Sequence, residues 1–200
     1  MLKSTQSVNE DIFKDTYPYL CQQGRKAIFA LRRKFSHLGS VPSSLMFEAF
    51  ETMVRPILLY GSDIWGNNKN GQSSVDKVYL QFMRYILHVK PSTSNIIVMG
   101  ECGKFPPSVY CNISVMCFFN RLHHMNENRI PKQVFSELVR LNDIGFNNWT
   151  TGMCELINSY TLDIELPPHA FKIACKNTVL NRFLIKWHKE LLDIPKHHPV

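Results

Sequence analysis

The 200-residue sequence has neither a G-x-x-x-x-G-K-[ST] run nor a G-x-G-x-x-G run, so it offers no glycine-rich cradle for a nucleotide's phosphates. Its sixteen acids are scattered, with no adjacent aspartates, and two-metal phosphoryl transfer needs such paired carboxylates. No C-x-x-C pair occurs among the six cysteines, at 21, 102, 111, 117, 154 and 175. That spacing excludes the dense disulfide framework of small secreted domains and favours a reduced, intracellular chain, cytoplasmic or nuclear. No apolar run approaches the roughly 18 residues of a membrane span. Asn9, Glu10 and Asp11 stand where a signal peptide needs its apolar stretch. The sequons at Asn112 and Asn148 then read as chance matches. Few segments alternate with period two, which argues against a substantial sheet.

What is present is a helix-rich, basic composition. Hydrophobic residues make up 44%, enough for a real core. The 23 Lys+Arg outweigh 16 Asp+Glu to give +7, the sign expected for a phosphate-bearing partner. The stretch GRKAIFALRRKFSHLG puts Ala27, Ile28, Leu31, Phe35 and Leu38 on one stripe at about 100° per residue. Arg25, Lys26, Arg32, Arg33 and Lys34 fall off that stripe, and Gly39 is a natural stop. A second helix is expected after Ser43 or Ser44, burying Met46, Phe50, Met53, Val54 and Ile57, with a kink or break near Arg55 because Pro56 clashes with the carbonyl of Thr52.

The stretch GNNKNGQSS reads as a loop. The following helix is expected to be capped by Ser73 and Asp76 and to bury Val75, Val78, Phe82, Ile86 and Val89. Its other side carries Lys77, Gln81, Arg84 and His88, with Lys90 just beyond. IIVMGECG is a short apolar segment, and KFPP a firm stop. Residues 108–125 read as a central buried helix around Val109, Ile113, Met116, Phe119 and Leu122. Further helices are expected at 131–142, 150–160 and 168–192, the last turning Phe171, Ala174, Phe183, Leu184, Trp187 and Leu191 inward. The fold class is all-α, an irregular bundle of about six to eight helices. Cys111, Cys117, His123 and His124 share one helix, but the short ligand pairs of a zinc site are absent and no metal site is assigned.

The order of segments is itself informative. KAIFALRRKFSHLG carries Lys26, Ala27, Leu31 and Lys34. MVRPILLYGSDIWG carries Val54, Pro56, Ile57, Leu58, Tyr60, Gly61, Trp65 and Gly66. FMRYILHVKPSTSNIIVMGECGKFP carries Phe82, Ile86, Leu87, Val89, Thr93, Asn95, Val98, Gly100, Glu101, Gly103 and Pro106. Together these blocks, about 26–106, resemble the region that follows the polymerase core in reverse transcriptases of non-LTR (LINE-type) retrotransposons. Asp63, His88 and Cys102 depart from the residues usual at their positions there.

The resemblance implies a fragment without the catalytic Y-x-D-D palm, and therefore no catalytic residue and no cofactor in this chain, the Mg2+ belonging to the parent polymerase. It implies a lead at 1–23, poorly ordered or partly helical, a thumb-like helical region at 24–106, a second helical region at 107–194 and a tail at 195–200. It also implies RNA, DNA or their hybrid as partner, held by the backbone through Arg25, Lys26, Arg32, Arg33, Lys34, Lys77, Arg84 and Lys90. Pro56, Tyr60, Gly61, Trp65, Gly66, Gly100, Glu101 and Gly103 are then structural. A helical protein-interaction scaffold, or a relic without function, is the second reading.

Overall fold

The computed structural model describes residues 13–39 and 41–193. The first twelve residues of the expected lead and the tail at 195–200 lie outside the described residues. Helices α1 (Thr16–His37), α2 (Ser43–Ala49), α3 (Arg55–Leu58), α4 (Ser62–Trp65) and α5 (Lys69–Ile86) come first. They are followed by α6 (Asn95–Cys102), α7 (Pro107–His123), α8 (Ile130–Asp143), α9 (Trp149–Ser159) and α10 (Pro168–Leu192). A π-helical turn, Phe50–Val54, joins α2 to α3. The all-α expectation holds, with no strand among the described residues and seven helices of eight residues or more.

Pro56 neither ends its helix nor simply kinks it. Its ring excludes a carbonyl from the usual position one turn back, and the chain widens: Arg55 donates its N–H to Phe50 O, five residues earlier. That extra residue per turn re-phases the buried face. Phe50, Val54 and Leu58 are fully buried, whereas Met53, expected inside, is 57% exposed and Ile57 only half-buried.

Other corrections have equally local causes. Helix α5 starts at Lys69, inside the stretch read as a loop, because Asn68 Oδ1 accepts the Gly71 N–H. Asp76 is therefore not its cap. Its Oδ1 reaches across to accept the Ser108 N–H at 2.8 Å, capping α7 from outside. IIVMGECG is the helix α6, ended by Gly103 in the left-handed region at φ 59°. Ser43 is the first helical residue of α2 after Pro42, not its cap. Leu38, Val89, Leu184 and Leu191 are exposed, since each lies at a helix end or on a rim beyond the packed segment.

Two hydrophobic clusters form the interior. The first gathers α1 to α6 around Phe50, which stacks on Phe82 at 5.2 Å between centroids and meets Tyr79 edge-on. The second gathers α7 to α10 around Phe119, Phe135, Met153, Phe171 and Cys175. Helix α7 touches α4, α5, α8, α9 and α10, so it is central as its composition predicts, though Ile113 is only half-buried and Cys111 and Val115 take core positions instead. The three indole N–H groups all donate to backbone carbonyls: Trp65 to Tyr60, Trp149 to Ile64 and Trp187 to Ile96. The last two pin α9 and α10 onto the first cluster, joining the halves by directional bonds as well as by apolar contact.

Candidate nucleic-acid interface

Helices α1 and α5 pack side by side and parallel. Tyr17 lies against Gly71, Gly24 against Val78, and the Arg32 guanidinium sits 3.9 Å from the centroid of the Tyr85 ring, each contact further along both helices. At about 100° per residue this fixes what flanks the seam. On one side α2, the π turn and α3 cover it, with Leu58 against Gly24 and Phe50 on Phe82. On the other side Arg25, Phe29 and Arg32 of α1 stand beside Lys77 and Gln81 of α5, with His88 just beyond the end of that helix. All six residues are exposed, Phe29 by 70%. This open face therefore joins two basic flanks that lie about fifty residues apart in sequence.

The remaining expected contacts divide. Lys26 and Arg33 continue the positive surface onto the outer back of α1, and Lys90 is exposed beyond the end of α5. Lys34 lies on the opposite flank, so the five basic residues of α1 do not form one surface. Arg84 is engaged within the fold. Its guanidinium donates to Thr93 O at 2.8 Å and to Asn95 Oδ1, and its buried Nε has no partner. The head group is thus occupied in holding the turn between α5 and α6, and it is not presented to a phosphate.

The glycine-rich block resolves into joints. Gly61, at φ 67° in the left-handed region, opens α4 in a conformation that costs a side-chain-bearing residue about 1 kcal/mol or more. Trp65 is buried at 2%, while Tyr60 is 77% exposed. Its carbonyl, not its ring, does the structural work. Gly100 lies under the Trp187 ring, and Glu101 is exposed on α6.

Among the described residues no group of three or more His, Cys, Asp or Glu is placed to hold a metal ion. Cys117 has a distinct environment that spacing did not reveal. It lines a cavity of about 490 Å³ with Asp63, Arg121 and Lys172. A hydrogen bond from Cys175, with Lys172 and Arg121 nearby, lowers its thiol pKa, whereas burial raises those of Cys21, Cys102, Cys111 and Cys154. Cys175, which donates that bond, is raised as well. In limited alkylation at neutral pH followed by peptide mapping, Cys117 is expected to react first of the six. Equal labelling of Cys117 and the fully buried Cys111 would contradict this environment.

Comparison with protein-family models, with curated proteins and with solved structures finds no significant match to this chain.

Proposed function

We propose that the chain is the thumb-side portion of a non-LTR retroelement reverse transcriptase and that it grips a template–primer duplex through sequence-independent phosphate contacts. The observation that carries this reading is the open face of the α1–α5 seam. Two basic helix flanks from separate parts of the sequence lie side by side there, and among the described residues no helix is packed over them. The sequence blocks of the resemblance overlap both helices. The role assigned to the face is to hold a duplex by its phosphates.

Such a surface binds by counterion release. Each duplex phosphate neutralised adds about 0.9 to the magnitude of the salt slope, and a nonspecific Kd near micromolar or weaker is expected at physiological salt. Fluorescence anisotropy of the full chain with a blunt RNA–DNA hybrid at several salt concentrations tests it. Arg25→Ala with Arg32→Ala is expected to reduce the slope by roughly 2 and weaken binding about tenfold at low salt. Arg84→Ala is expected to lower stability while leaving the slope unchanged. Salt-independent binding, or no loss in the double variant, would remove the thumb reading in favour of a protein-binding scaffold.

A further inference from the structure

A second basic surface lies on the side of α5 turned away from α1. There α5 faces α10 and the end of α9 across a cleft of about 720 Å³. Lys69 and Lys77 stand on the α5 wall, Arg182 and Lys186 on the α10 wall. All four are exposed. The half-buried rings of Tyr160, Phe183 and Trp187 line the same space. Two acids accompany the four cations, and both are engaged: Asp76 accepts the Ser108 N–H, and Glu190 lies 3.6 Å from Lys186. Arg182 donates to Ser159 O and covers the Tyr160 ring, with its carbon 4.7 Å from the centroid.

We infer that this cleft binds an unpaired stretch of nucleic acid, with Lys69, Lys77 and Lys186 along its phosphates and bases lodged against the aromatic wall, where Arg182 is held over Tyr160. The volume is that of a pocket for a small ligand, which admits a short run of single-stranded nucleotides and not a duplex. Cations on both walls with rings between them are the combination that tracks a single strand without reading its sequence. Lys77 lies at the rim where the cleft meets the α1–α5 face, so a strand leaving a duplex held on that face has a continuous positive path into the cleft. The inference rests on the nucleic-acid reading above, and it adds a different ligand at a different surface.

The test uses the full chain with two probes, a short fluorescent oligouridylate and a blunt RNA–DNA hybrid. Lys69→Ala with Lys186→Ala is expected to weaken oligouridylate binding about tenfold and to lower its salt slope by about 1.4, at roughly 0.7 per single-strand phosphate. Hybrid binding is expected to stay within about twofold for this variant, since neither lysine is on the seam. Both side chains are exposed, and unchanged circular dichroism confirms that the fold is kept. If the wild-type chain does not bind oligouridylate, or the double variant binds it with unchanged affinity and slope, the cleft is not a single-strand site. If Lys69 and Lys186 matter for oligouridylate while Arg25 and Arg32 do not matter for hybrid, the cleft stands and the thumb reading falls.

Discussion

Gly66→Ala is expected to unfold the chain or to leave it destabilised by roughly 3 kcal/mol or more, although Gly66 has ordinary right-handed dihedrals, φ −65° and ψ −12°. The requirement is space. A Cβ there would lie 2.1 Å from the Ser62 carbonyl oxygen and 2.9 Å from that of Cys111, both backbone atoms in packed helices. A flexible side chain can turn away, but these carbonyls cannot, so the turn of α4 from Ser62 to Gly66 would have to open and α4 would have to move off α7. Doing so would also disturb the bond from Gln72 Nε2 to Gly66 O and would open the contact between the two hydrophobic clusters. Gly24→Ala is a useful contrast, because its nearest atom is the Leu58 Cδ2 at 2.5 Å, the movable end of a side chain. It is expected to cost distinctly less. Urea denaturation followed by circular dichroism separates the two, and a Gly66→Ala protein within about 1 kcal/mol of wild type would mean that neither the α4 turn nor its approach to α7 is this tight.

The contrast shows what kind of information the sequence carries. Apolar periodicity located the long helices α1, α5, α7 and α10 because it reports one-dimensional amphipathicity. It did not show that Pro56 is accommodated by a π turn, because which carbonyl an N–H reaches depends on how the whole turn packs. The same limit applies to polar residues whose partner is distant in sequence. Asp76 sits at a position suited to capping its own helix, and Arg84 at a position suited to a basic face. Both instead bond to other elements, Asp76 to Ser108 and Arg84 to Thr93 and Asn95. The basic flanks of α1 and α5 were legible residue by residue. That they share one side of a parallel seam was not, since parallel and antiparallel packing leave the same sequence pattern.

Asp76→Asn is expected to stabilise the protein at neutral pH by roughly 2 kcal/mol and to leave it nearly unchanged near pH 4. The Asp76 carboxyl is enclosed between α5 and the start of α7, and burial pushes its pKa up to about 6, further than the bonds from Ser108 draw it down. The native state therefore binds this proton more readily than the unfolded chain, whose aspartate has its ordinary pKa of 3.8. With respect to this group, stability is fully present below that value and is lost as pH rises through about 6. Asparagine keeps a carbonyl oxygen for the Ser108 N–H and never carries the charge. Its stability should be flat across the window in which the wild type declines. Asp76→Ala removes the acceptor altogether, leaves the α7 terminus uncapped and is expected to cost about 1 kcal/mol near pH 4, where the charge no longer matters. Urea titrations of the three proteins at pH 4.5, 6 and 7.5 give the comparison. An asparagine variant less stable than wild type at pH 7.5 would show that the ionised carboxylate gains more from Ser108 and the positive end of α7 than it loses by enclosure, and would reverse the sign assigned to this group.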